Sequence, residues 1–237
     1  MLKRKLRHVP FKNNQTGFTI IESLVAVIVL GILMTAIAPT IVLSTATRIQ
    51  SRRIELATQA ARAYIDGVST GNIPAPPVTN IEKVKAPRVS LVCRKNDLEK
   101  DKGYCSSPKE SSYRVFCVDG DADNECSKDN PKDMIVQAFG FNSSSDEASR
   151  GYKMNIRVYR ADAFKDSEAL ETNDTNKNKD KKATQSTFSG GIGNRKAPLV
   201  EMTTEIGTSR TSFEDFCSRL EVYQGRVKNG NLNSKCK

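Results

Sequence analysis

The 237-residue chain carries 37 Lys+Arg against 27 Asp+Glu, a formal net charge of +10, which at first invites a nucleic-acid partner. Five of the cations, Lys3, Arg4, Lys5, Arg7 and Lys12, lie in the first 17 residues, where no acid occurs. The other 220 residues hold 32 basic against 27 acidic side chains, a net of +5 too diffuse for a DNA footprint. The single histidine, His8, sits in the same leader, so beyond it nothing can build a Ser-His-Asp, Cys-His or HExxH centre. Neither GxxxxGK[ST] nor GxGxxG occurs, and the composition points away from an enzyme.

Apolar residues are as unevenly spread as charge. Of the 26 residues from Phe18 to Leu43, 19 are hydrophobic, and Ser23 to Thr47 is a run of 25 without charge. At about 1.5 Å per residue a helix of that length crosses a hydrocarbon core of about 30 Å. The basic leader precedes it, so the positive-inside bias keeps residues 1–17 in the cytoplasm and places the rest of the chain beyond Leu43 outside it, anchored in the inner membrane. A secretory signal would have a shorter apolar stretch with its small-residue cleavage site afterwards. Here the small residue comes first: Thr16-Gly17, then Phe18-Thr19-Ile20-Ile21-Glu22-Ser23-Leu24.

That order resembles the type IV pilin and pseudopilin family. The resemblance rests on Gly17, on Phe18 after it, on Glu22 as the fifth residue from Phe18, and on Pro39 further along the helix. It implies that a prepilin peptidase cuts between Gly17 and Phe18 and methylates the new terminus. It further implies that Glu22 pairs with the Phe18 amine of an adjacent subunit, and that an inner-membrane platform assembles the subunits with other pilins into a filament. From the residues alone, a carboxylate in a membrane helix costs about 2.5 to 3.5 kcal/mol and needs a partner, or lies at the interface near the positive helix N-terminus. Gly31 and Pro39 are weak points of the helix, and by resemblance the stretch between them can unwind in the filament.

The implied fold is α+β: one long N-terminal helix over residues 18–69, transmembrane over 18–43 and an amphipathic stem over 44–69, packed on a small antiparallel β-headgroup with disulfides. Val42, Ala46, Ile49, Leu56, Ala60 and Tyr64 share a helical face, with Arg53 intruding, opposite Arg48, Arg52, Glu55, Gln59, Arg62 and Asp66. Gly67, Gly71, Pro74, Pro76 and Pro77 stop it and open a linking loop over residues 70–92. The headgroup, residues 93–237, has strand patterns at Tyr113–Val118, Met134–Phe139, Tyr152–Tyr159 and Leu199–Ile206 and a capped helix start at Ser212. In the third strand Lys153, Asn155, Arg157 and Tyr159 are expected to face water. Between them, residues 165–189 hold five lysines against five acids and read as a mobile polyampholyte rather than a DNA-binding tract.

Six cysteines outside the cytoplasm suggest disulfides, by spacing Cys93 with Cys105, Cys117 with Cys126 and Cys217 with Cys236, although six permit 15 pairings. Zinc is the competing reading, without a CxxC pair or a histidine to support it. Asp119, Asp121 and Asp123 alternate on a turn and are calcium candidates, in a pattern that lacks an EF-hand's glycine and closing Glu. The expected role is a minor pilin or pseudopilin supporting surface motility and export. The stretch from Gly17 to Pro77 is also similar to cyanobacterial pseudopilins of hormogonium polysaccharide secretion. A DNA-uptake or adhesion pilin is the alternative, and a membrane-anchored enzyme the third class.

Overall fold

The computed structural model describes residues 17–87, 90–106, 114–143, 145–166, 168–172, 184–186 and 193–223. It divides into two compact units, Met1–Thr45 and Ala46–Lys237.

In the first unit helix α1 begins at Ile20, because Thr19 caps it: the Glu22 N–H donates to Thr19 Oγ1 at 3.3 Å and the Ser23 N–H to the Thr19 carbonyl at 3.2 Å. α1 runs Ile20–Ser69 with Pro39 inside it, and is long and apolar enough to cross a membrane. Residues 17–45 are exposed on every side, as a lipid-facing segment must be. Its hydroxyls are satisfied internally: Ser23, Thr35 and Thr40 each donate to the carbonyl three residues back at 2.7–2.9 Å. Helix is continuous from Gly31 through Pro39.

In the second unit the rest of α1 buries Gln50, Ala57, Ala60, Ala61, Tyr64 and Val68. The buried stripe is rotated from the one expected: Ile49 is 48% exposed, and Gln50 takes the inward place. Small alanines let the sheet approach closely. Gly71, at φ 78°, ends the helix in a conformation only glycine adopts without strain.

The sheet comprises β1 (Val78–Thr79), β2 (Val115–Val118), β3 (Met134–Phe141), β4 (Tyr152–Arg160) and β5 (Val200–Ile206). Its order is β1-β3-β4-β5, with β2 beside β1 along the same edge of β3. β2, β4 and β5 join antiparallel, Ile135 facing Tyr159 and Ile156 facing Met202. β1 is parallel to β3, which makes the sheet mixed rather than antiparallel. The cause lies in the proline loop: Pro76 and Pro77 hold the chain extended, and the Pro77 carbonyl accepts the Gly140 N–H at 2.8 Å. A short helix α2 (Lys95–Lys100) precedes β2, and α3 (Phe213–Tyr223) follows β5.

Two apolar layers cover the sheet. One packs Ala57, Ala60 and Tyr64 of the stem on Met134, Val136, Met154, Ile156 and Val158. The other lies on the opposite face and joins Leu91, the four cysteines 93, 105, 117 and 126, Ile135, Tyr159, Phe164 and Leu170. The wet face expected for β4 is therefore only half wet. Arg157 is 3% exposed and Tyr159 is fully buried. Loops distant in sequence cover them, since Arg157 Nη1 donates to the Val84 carbonyl at 2.5 Å and the Tyr159 hydroxyl to the Glu171 carbonyl at 2.9 Å.

Within the segment expected to be mobile, residues 173–183 and 187–189 lie outside the described residues. Its described ends are anchored: Leu170 is buried, Asp166 pairs with Arg195 and Lys196, and the Gln185 N–H donates to the Pro198 carbonyl at 3.0 Å. Gln185 Oε1 also accepts from Gln50 Nε2 of the stem at 2.7 Å.

Candidate processing and assembly site

Gly17, Phe18 and Thr19 precede the helix in non-helical backbone, with Phe18 83% exposed. Among the described residues, a Cβ on Gly17 would meet nothing within 4 Å. Glu22 stands in the first turn of α1, and no cation among the described residues pairs with it. Thr19, which sequence reading passed over, stands three residues before Glu22 in the T-x-x-E spacing of a capping box, and that signal could have found it. Residues 12–38 match the family model of the prokaryotic N-terminal methylation motif.

The chain carries a type IV pilin-like class III signal. Comparison with curated proteins and with solved structures finds no match. Such a signal implies processing by a prepilin peptidase and assembly with other pilins, and it points to a structural protein of type IV systems. The apolar first unit fits membrane anchoring.

The second unit is braced covalently. Disulfides join Cys93 to Cys105, with Cα atoms 4.4 Å apart, and Cys117 to Cys126, with Cα atoms 5.9 Å apart. A bridge pairs Cys93 with Cys126, so the two crosslinks lie side by side in the outer core layer and leave none of the four as a thiolate for zinc. Cys217 is disulfide-bonded as well, and its expected partner Cys236 lies outside the described residues.

The acidic turn brings together Asp119, Asp121 and Asp133, whose carboxylate oxygens lie within 4.8 Å of one another. Asp123 does not join them and accepts the Glu125 N–H at 3.0 Å instead. Asp133, buried just before β3, is the member that sequence reading missed, because 12 residues separate it from Asp121. Desolvation of Asp119 is outweighed by the N–H groups of Asn124, Asp121 and Ala122, which hold its carboxyl below the usual range. Desolvation raises Asp133, against the opposing N–H groups of Ser127 and Gly120, and nearby Asp121 and Asp123 raise it further. Gly120 is required here, since a Cβ would lie 2.2 Å from the Lys132 carbonyl oxygen. Asn130 Nδ2 donates to Asp121 at 2.7 Å and to Asp133 at 3.0 Å, while its Oδ1 accepts the Lys132 N–H at 3.0 Å, which fixes the amide orientation. An amide N–H cannot ligate a hard cation, and it occupies the place between two of the three carboxylates. As folded, that amide bridges Asp121 and Asp133.

Proposed function

We propose that this chain is a minor pilin or pseudopilin, cut between Gly17 and Phe18 and methylated at Phe18. It then assembles through α1 into a type IV pilus or a type II secretion-like pseudopilus that supports surface motility and export, polysaccharide included. The observation carrying the reading is the methylation motif over residues 12–38, which runs into an apolar helical stretch whose one carboxylate before Glu55, Glu22, pairs with no cation among the described residues. A buried carboxylate seeks a counter-charge, and cleavage creates one, the Phe18 ammonium of a neighbour. Pro39 gives the helix a site at which to bend during assembly. On this reading the acidic turn is a hydrogen-bonded hairpin that needs no cofactor.

Intact mass of the protein from cells with a prepilin peptidase tests the first step. The expected product begins at Phe18 with one added methyl group, and Gly17→Leu blocks it. Glu22→Ala should still be processed but should not enter filaments or sustain motility. A working protein that begins at Met1, or normal assembly by Glu22→Ala, overturns the proposal.

A further inference from the structure

We propose that Arg48, Arg52 and Arg53 form a docking collar for the phosphates of anionic phospholipids at the membrane face from which the stem emerges. The inference rests on the reading of Ser23–Thr47 as a membrane span. Arg48 is the first charge after Glu22, and Arg52 and Arg53 follow before the first acid, Glu55. All three belong to α1, where five residues rise about 8 Å. Arg48 and Arg52 are exposed at the i, i+4 spacing, so they share a face. Side chains on a helix lean toward its N-terminus, here toward the apolar run. Arginines of that reach fall within a headgroup layer of about 5–7 Å beyond the hydrocarbon.

Two of the three arginines have no counter-ion among the described residues. No carboxylate among the described residues pairs with Arg48 or Arg52, and Glu55 accepts from Gln59 Nε2 at 3.4 Å. Beside half-buried Arg53 lies Arg160, 4% exposed, which already engages the neighbouring carboxylate, Asp162. Arg160 Nε and Nη1 are buried and find no acceptor among the described residues, so positive charge is in excess beside Arg53. Burial first, and then the Arg160 charge, lower the Arg53 pKa from its usual value, and Asp162 offsets part of this. Such an excess of positive charge at the end of a membrane span matches a surface of fixed phosphates, each arginine favouring it about fivefold. Solvated stem arginines are the bland alternative, and they would show no lipid preference.

The test places the full chain in bilayers of phosphatidylcholine doped with spin-labelled phosphatidylglycerol or phosphatidylcholine. The ratio of the two association constants is compared between wild type, R48Q/R52Q and the more distant stem variant R62Q. The ratio is expected to fall at least about fivefold in R48Q/R52Q, to be unchanged in R62Q, and to shrink in wild type as salt rises. The basic leader, common to all three, cancels. An equal ratio in wild type and R48Q/R52Q overturns the collar while normal flotation with vesicles keeps the anchor. A chain that never floats overturns both. Retention of alginate by wild type but not by R48Q/R52Q, with no lipid preference, assigns the arginines to a soluble polyanion and overturns the proposal.

Discussion

Replacing Tyr64 tests whether the stem is locked to the headgroup by one aromatic cluster. Its ring is fully buried, with centroids 5.2 Å from Phe116 and 6.5 Å from Tyr104, both edge-on. Its hydroxyl lies 2.6 Å from that of Tyr104, which donates to the Pro74 carbonyl at 2.9 Å; the Tyr64 O–H is therefore the donor of the pair. Tyr64→Phe removes one hydrogen bond and leaves the Tyr104 donation intact, a loss of about 0.5–1.5 kcal/mol. Tyr64→Ala removes the ring and leaves a cavity, for about 3–5 kcal/mol. At about 2–4 °C per kcal/mol for a unit of this size, the midpoint should fall by about 1–6 °C in the first variant and about 6–20 °C in the second. The span stays helical in detergent, so far-UV signal misreports the headgroup. Near-UV circular dichroism of the tyrosines during thermal unfolding is the suitable assay. A midpoint for Tyr64→Ala within about 2 °C of wild type, or equal losses in both variants, would refute the cluster as a lock.

Alkali should unfold the headgroup early. Desolvation raises the pKa of Tyr64, Tyr104, Tyr152 and Tyr159, so above about pH 10 the unfolded chain releases protons that the fold retains, and stability declines with pH. Urea midpoints between pH 8 and 11 should fall steeply past pH 10, and a flat profile contradicts the burial. Asp215 behaves in the opposite sense: hydrogen bonds from the Ser212 hydroxyl and N–H, then from Arg150, hold its carboxyl down at about 2. The stability it adds is complete above the ordinary carboxylate pKa and disappears as pH falls through about 2, so the protection of the first-turn amides of α3, taken relative to the unstructured exchange rate at each pH, should fall in acid, with Asp215→Asn showing the low protection already at neutral pH. Calcium titrated calorimetrically into the chain should give no saturable heat; heat that Asp121→Ala abolishes would show that the Asn130 amide yields to the ion.

Legibility in the sequence followed the range of the forces involved. The span was visible because 25 uncharged residues leave no other solvent for them, and β3 and β4 because Ile135, Val136, Ile156 and Val158 are branched and closely spaced. The joining of Cys93 to Cys105 and of Cys117 to Cys126 needed only short loops. What escaped was set by distant partners. Arg157 reads as a solvent residue until the Val84 carbonyl and Glu201 arrive from 73 residues before and 44 after. Gln50 looks like the polar flank of Ile49, and only Gln185, 135 residues away, turns it inward. β1 has two residues and no pattern, and its pairing follows from prolines that disfavour helix. Asp133 entered the acidic cluster through a return of the chain that no spacing rule encodes.

The capped start of α1 bears on the voltage across the membrane. With the proposed orientation, pulling the uncut chain outward drags five leader cations up an inside-negative potential, at about 2.3 kcal/mol each per 100 mV. In the proposed product, which begins at Phe18, the new ammonium and the Glu22 carboxylate would cancel, and withdrawal would move no net charge. On the proposed function, proteolysis would act as an electrical release: the field that pins the precursor would be indifferent to the processed subunit, and its extraction should proceed at the same rate when the potential is collapsed, provided the assembly machinery is fuelled.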